Sequence, residues 1–207
     1  MIEITEGGNV MKVLLFNGSP RGEACTYTAL RIIEDELQAQ GIETEIIHTG
    51  KVPVQAPIRR SRDSALLVEM IEKAKEADGF IFGSPVHYAG ISASMKAVMD
   101  HIFYDAGEHF AYKPGAAIVS ARRAGTTAAL EQLQKYLNIN NMPIVSSQYW
   151  PMVHGHTPAE VLQDEEGVQI MQTLGKNMTW LLKCIEAGRE KGIEPTKVTT
   201  IKRTNFI

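Results

Sequence analysis

The sequence of 207 residues predicts an α/β fold, a doubly wound, five-stranded parallel sheet in the order 2-1-3-4-5, layered α/β/α. Three observations predict it. Short apolar runs alternate with helix-period patterns along the whole chain, the signature of βαβ units. The runs are apolar at consecutive positions rather than alternating, as in strands covered on both faces. Right-handed crossovers then leave few topologies, of which this order, ending in a helix, is a common one.

The first run, Val13–Phe16, is followed by a turn cluster and by Leu30, Ile33 and Leu37 at helical spacing. Thr44–Ile47 is the second strand, before a helix carrying Leu67, Met70, Ile71 and Ala74. Gly79–Gly83 is the third, with Ile91, Met95, Val98 and Ile102 behind it, and Ala116–Ser120 the fourth, followed by Leu130, Leu133 and Leu137. The fifth strand is expected at Ile144–Ser146. A final helix carries Val168, Met171, Leu174, Met178, Leu181, Leu182 and Ile185, with Gly188 and Gly192 expected to stop it. Its methionines are read as core packing. Residues 1–10 are expected to form an arm, 11–192 one domain, and 193–207 a tail.

Composition narrows the function. A formal charge of −3, from 21 basic and 24 acidic residues, offers no general attraction to nucleic acid or anionic membrane, so an anion site must be local. The absence of a long apolar stretch and of a signal-like N-terminus points to a cytoplasmic protein. Cys25 and Cys184 are the only cysteines, too few for a disulfide framework or a four-thiolate metal centre. His154 and His156 have no neighbouring Cys or acidic cluster, and are read as rim residues rather than metal ligands.

In the predicted topology the loops after strands one, three and four converge at the carboxyl edge of the sheet. The first, Asn17–Thr28, holds Ser19, Arg21, Thr26 and Thr28 beside a helix start, where free N–H groups and the helix dipole favour an anion. Neither a lysine-bearing Walker loop nor a Gly-x-Gly-x-x-Gly fingerprint can be written onto it, so a monophosphate fits better than a pyrophosphate. Gly-Ser-Pro is equally a common turn, and Ser or Thr before a helix a common cap. The second loop offers Pro85, a stacking Tyr88 and a small Gly90, suited to a planar ligand or to a plain turn. The third, Ser120-Ala-Arg-Arg-Ala-Gly125, places Arg122 and Arg123 on the ligand rim or on a solvated surface.

Taken in order, these stretches resemble the flavodoxin-like NADPH-dependent FMN reductases. The matching residues are Gly18-Ser-Pro-Arg21 with Thr26, Asp78 through Tyr88, Ser92-Ala93, Lys96-Ala97, Asp100, Lys113-Pro-Gly115, Arg122-Arg123, Gln148-Tyr-Trp150 and Val153-His-Gly155. The resemblance implies that Ser19, Arg21, Thr26 and Thr28 bind the FMN phosphate. It implies that Pro85, Val86, His87, Tyr88 and Gly90 meet the isoalloxazine, and that Ser120, Arg122, Arg123 and Gly125 line the other rim. Ala24 and Cys25 stand where the family often reads Gly-Asn, which predicts an altered backbone path or phosphate contact. Cys25, at a helix start, is either a thiol of lowered pKa or a small loop residue. The related iron–sulfur flavoproteins carry cluster cysteines after the second strand. Here that segment reads Lys51-Val-Pro-Val-Gln-Ala-Pro-Ile-Arg-Arg60, without a thiol, and Arg59, Arg60 and Arg62 are read as a solvated loop rather than a partner's phosphate site.

The expected activity is hydride transfer from NADPH (or NADH) through bound FMN to a small acceptor such as a flavin, quinone, or nitro- or azo-aromatic, with no protein nucleophile. Two other readings share the fold: a flavodoxin-type electron carrier, and a flavin-free binding protein. The run Tyr149–Val153 is expected to form a homodimer or homotetramer contact.

Overall fold

The computed structural model describes residues 10–51, 64–196, 202 and 204. The arm at residues 1–9, Arg59, Arg60, Arg62 and most of the expected tail lie outside the described residues. The strands are β1 (Lys12–Asn17), β2 (Glu43–His48), β3 (Gly79–His87), β4 (Gly90–Ile91), β5 (Gly115–Ala121) and β6 (Met152–His154). The helices are α1 (Cys25–Gln38), α2 (Ala65–Glu76), α3 (Ala93–Ala106), α4 (Thr126–Ile139), α5 (Pro158–Gln163) and α6 (Glu165–Glu190). The sheet runs β2-β1-β3-β5-β6, all parallel, with β4 a two-residue antiparallel addition to β3. Apart from β4 this is the expected flavodoxin-like order.

Alternation along the strands divides the core. Leu14, Phe16, Phe80 and Phe82 face α2, α3 and α4, while Val13, Leu15, Ile81 and Ile118 face α1, α5 and α6. Side chains of successive strand residues point to opposite faces, so apolar residues at every position fill both layers. Phe16 stacks on Phe82 at 5.0 Å, and Phe80 meets Phe110 at 4.6 Å, closing the α2/α3 side.

Three expectations about the C-terminal half are corrected. The last strand is Met152–His154, not Ile144–Ser146; Ile144 makes only an isolated bridge to Gly115. The polar Ser146 and Ser147 cannot fill a covered strand, whereas Met152 and Val153 are both buried. The run Tyr149–Val153 is therefore split: Tyr149 and Trp150 are about half exposed, and the other apolar residues belong to the sheet edge. Finally, α6 continues through Gly188 to Glu190, and Gly192, at φ 73°, follows in the left-handed conformation. The short α5 lies between β6 and α6 and adds a sixth helix to the five expected.

Lys113 of the family-like Lys113-Pro-Gly115 stretch has a structural task. Its ammonium donates to the carbonyls of Ala74 (2.9 Å) and Lys75 (3.2 Å) at the end of α2 and lies 5.7 Å from the Phe80 ring centre. Burial pushes its pKa below the ordinary lysine value, against the opposing pull of Asp78. Replacing it by methionine strips those carbonyls of a charged donor at the negative end of the helix dipole. Lys113→Met is expected to lower stability by on the order of 1–2 kcal/mol, read as a lower urea midpoint at unchanged m.

Candidate functional site

The carboxyl ends of β1, β3 and β5 and the turn after β6 open onto a cleft of about 210 Å³. Ser19, Pro20, Arg21, Cys25 and Thr26 form one wall, Pro85, Val86 and His87 another, and Ser120, Ala121, Arg122, Gly155 and His156 a third. It lies beside the β1/β3 switch point, where the crossovers on opposite faces diverge and leave a crevice.

The first loop is pinned from both sides. Gly18 donates its N–H to the Gly83 carbonyl at 2.8 Å, and its own carbonyl accepts from Ser92 Oγ at 2.6 Å. Ser92 also caps α3, accepting from the Met95 N–H. Asn17 Oδ1 accepts the Ser19 N–H at 3.0 Å, and Ser19 Oγ accepts the Arg21 N–H at 3.2 Å. The chain then enters α1 through Ala24, which has no side-chain acceptor to offer, and the first turn holds no acidic residue. The leading N–H groups of α1 thus lie at the cleft end of the helix with no side-chain cap and no acidic residue in the first turn. The starts of α2 and α4 are likewise without a side-chain cap, whereas α3, α5 and α6 are capped by Ser92, Thr157 and Asp164.

Behind this loop two hydroxyls meet. Thr26 Oγ1 and Ser120 Oγ lie 2.7 Å apart, 1% and 3% exposed, and join the start of α1 to the end of β5. Each hydroxyl carries one proton, so the mutual bond uses one and leaves the other as a donor. Arg21 and Arg122 stand exposed at the mouth. The result is a donor-rich pocket matched to an anion.

The second loop is more extended than its sequence suggests, since β3 runs on to His87 and turns back through Tyr88 and Ala89 into β4. Both turn residues have positive φ, 50° and 58°, as a type I′ turn requires, although neither is Gly or Asn. Ser84 braces the turn, donating to the Pro85 carbonyl and accepting the Ser92 N–H, each at 2.9 Å. Gly125, at φ 90°, lets the third loop close against it: a Cβ there would lie 2.8 Å from Ala89 Cα.

Of the residues expected at the site, Ser19, Arg21, Thr26, Pro85, Val86, His87, Ser120 and Arg122 line the cleft together. Thr28 does not; its hydroxyl bonds the Ala24 carbonyl one turn back in α1. Tyr88 projects fully into solvent, Gly90 packs on Gln132, Arg123 is exposed outside the lining, and Gly125 supports the turn. Cys25, Gly155 and His156 are additional lining residues. Cys25 Sγ approaches the Gly155 carbonyl at 3.6 Å, and burial pushes its thiol up from the ordinary value despite the opposing backbone hydrogen bond, so the reading of a lowered pKa is corrected. His156 has its N–H on Glu160 at 2.6 Å, the rim position expected for it. Among the described residues no three His, Cys, Asp or Glu side chains gather as a metal site.

A larger cavity of about 520 Å³ lies across the Ser19–Pro20 ridge, lined by Glu45, His48, Leu66, Glu69 and Lys73 among others. Three of its four charged lining residues are paired, Lys73 with Glu45 and Glu69 at 2.5 Å, and the fourth, Glu23, adds negative charge. The chain leaves its rim into residues outside the description, and the converging hydroxyls and helix start belong to the smaller cleft.

A sequence profile of the NADPH-dependent FMN reductases matches residues 11–157, which contain every wall of this cleft. The chain belongs to that family. It is therefore a flavoprotein-family oxidoreductase. It is 30% identical over 198 residues to an iron–sulfur flavoprotein of Methanocaldococcus jannaschii, covering 85% of this chain and 100% of that protein. To an iron–sulfur flavoprotein of Methanosarcina thermophila it is 27% identical, covering 87% and 100%. In fold it is similar to FerB, an NAD(P)H:(acceptor) oxidoreductase of Paracoccus denitrificans, with TM-score 0.69, 15% identity and coverage of 84% and 98%. An NADH:FMN oxidoreductase gives TM-score 0.68 at 19% identity, covering 83% of this family member and 90% of that chain.

Proposed function

We propose that this chain is an FMN-dependent NAD(P)H oxidoreductase that delivers reducing equivalents to a small acceptor such as a flavin, quinone, or nitro- or azo-aromatic. The observation that carries the reading is the cleft itself, an uncapped helix start and a buried hydroxyl pair at one end and an open wall at the other. Those residues fit a flavin mononucleotide. Ser19, Arg21, Thr26 and the α1 N–H groups suit its phosphate, since every one is a donor and a phosphate only accepts. Pro85, Val86 and His87 offer a wall for the ring, and Ala121 to Arg122 with Gly155 and His156 face it from the other rim. When bound, FMN supplies the hydride and electron chemistry.

The chain's own contribution is placement and electrostatics. Pro85 stiffens the wall, and the Ser84 and Gly125 contacts hold its turn in place, so a ring bound here would rest on the fixed end of β3 rather than on a free loop. Arg122 at the rim would stabilise negative charge on a group bound in the cleft. At about 210 Å³ the cleft is smaller than the roughly 300–1,000 Å³ of pockets that enclose a ligand, so a flavin bound here would be incompletely enclosed by the residues that line it. Incomplete enclosure would suit alternate access by a nicotinamide and an acceptor.

The iron–sulfur cluster named for the relatives does not fit. A cluster held by four thiolates cannot form within this chain, since Cys25 and Cys184 are its only cysteines, one in the cleft and the other exposed on α6, and no group of three His, Cys, Asp or Glu gathers around either among the described residues. No electron step is therefore assigned to a cluster.

The test is to load the purified full chain with FMN, add NADPH or NADH without acceptor, and then supply each acceptor class. Bleaching of the flavin by the nicotinamide and its recolouring by acceptor are expected. A loaded protein that neither nicotinamide bleaches would overturn the reading in favour of an electron carrier, and failure to bind FMN would favour a flavin-free protein.

A further inference from the structure

We infer that His48 is a positioning residue for the first loop, acting as an obligatory hydrogen-bond acceptor through Asn17. The register of β1 against β2 sets Asn17 beside His48 at the last rung of the sheet, with Gly83 of β3 on its other side. Asn17 is wholly buried, and its side-chain amide makes three contacts. Oδ1 accepts from the Ser19 N–H at 3.0 Å, Nδ2 donates to the Gly22 carbonyl at 2.9 Å, and Nδ2 lies 3.1 Å from His48 Nδ1.

The first two partners are backbone groups whose roles cannot change, one a donor and the other an acceptor. Rotating the amide by half a turn would set N–H against N–H and oxygen against oxygen, so its orientation is decided without reference to histidine. One Nδ2 hydrogen goes to Gly22, and the second points at His48 Nδ1. That nitrogen must then present its lone pair, which makes His48 the neutral tautomer protonated at Nε2. Tyr27 of α1 stacks on the imidazole at 5.6 Å, and Thr49 Oγ1 donates to the Asn17 carbonyl at 3.1 Å, so ring and partner are both braced.

A second proton on the imidazole turns Nδ1 into a donor facing a donor. Asn17 then has to leave either His48 or its hold on Ser19 and Gly22, the residues that shape the loop entering α1. The charges that share a cavity with His48 are Glu23 of the loop, Glu45 of β2, and Glu69 and Lys73 of α2, with Lys73 already paired to both Glu45 and Glu69. Protonation of one strand-end histidine is thereby coupled to the anion-binding loop of the neighbouring cleft.

The affinity consequence rests on the reading of that cleft as the FMN phosphate site; the hydrogen-bond arrangement does not. Two measurements on the full chain separate them. In the protein without added FMN, long-range proton–nitrogen NMR is expected to find His48 protonated at Nε2. The Asn17 side-chain amide and the Ser19 backbone N–H are expected to shift together with the His48 titration. An Nδ1-protonated ring, or loop amides that ignore the titration, overturns the inference. Secondly, FMN dissociation constants are compared from roughly pH 8 to pH 5, the span over which histidines change charge. His48→Gln retains an acceptor that does not titrate, so its affinity is expected to fall about tenfold less than that of the unsubstituted protein over this span, while His48→Phe is weaker at every pH. Contributions from the FMN phosphate, His87 and His156 are common to all three proteins and cancel. Parallel pH profiles for the unsubstituted protein and His48→Gln overturn the inference even if FMN binds. Absence of FMN binding at pH 8 would instead overturn the functional reading and leave the NMR result to decide on His48.

Discussion

Gly18→Ala is expected to cost about 1–3 kcal/mol of stability and to abolish retention of FMN through purification. A Cβ at this position would lie 2.7 Å from Met95 Cβ and 2.9 Å from the Gly83 carbonyl oxygen, closer than a methyl group can approach either. Neither neighbour can step aside, since Met95 Cβ is fixed to the α3 backbone and Gly83 belongs to the central strand. Relief must come from the loop, at the expense of the Gly18–Gly83 bond at 2.8 Å and the Ser92–Gly18 bond at 2.6 Å. Those bonds set the height of Ser19 and Arg21 over the cleft, so a small steric change is read out at the anion site. Urea unfolding and a fluorescence titration with FMN check the two halves of this expectation. A variant with the parental urea midpoint would show that the loop yields without loss.

Thr26→Val should weaken FMN binding by about 10- to 100-fold, with the fold intact. Valine matches threonine in shape and fills the same buried position, so the change removes a hydroxyl and no packing volume. Two costs follow. The phosphate loses a contact from the pair, either the Thr26 donor itself or the partner that orients the Ser120 hydroxyl, about 1.5–3 kcal/mol for a hydrogen bond to a charged group, which corresponds to the stated range in affinity. Ser120 is also left without its 2.7 Å partner inside the protein. Ser120→Ala removes the same pair from the other side, and because the hydroxyls act as one unit the double variant is expected to lose less than the sum of the two. Unchanged affinity in Thr26→Val would remove the pair from the phosphate site.

Part of the candidate site is legible in the sequence alone. Ser19, Arg21 and Thr26 are donor side chains next to a glycine turn and a helix start, and local chemistry of that kind survives in a linear string. Pro85 and Ser120 were legible for a related reason, as each sits where a buried apolar run ends. His156 was assigned to the rim, but its carbonyl neighbour Gly155 and its place in the cleft depend on how α5 follows β6. Thr28 and Gly90 misled because residue type is silent about direction. A threonine one turn into a helix can bond its own backbone, and a glycine can be small for the sake of a protein neighbour such as Gln132. His48 and Asn17 gave no signal at all, being 31 residues apart and joined only by strand register.

The C-terminal edge strand marks the same boundary. Ile144–Ser146 has the local propensity of a strand, yet Met152–His154 occupies the sheet, since two buried apolar side chains outweigh intrinsic preference when one edge position is contested. Apolar period alone specifies the two-faced core, because burial on both sides of a parallel sheet writes itself into consecutive residues; the strand order needs the handedness of crossovers as well, and the family the resemblance of the loop motifs. Contacts between residues distant in the chain were needed for the rest: the Thr26–Ser120 pair, the Gly18 close approach and the Asn17–His48 bond arise where separate strands end at one level. No local energy term encodes that alignment. It is set by packing the whole sheet.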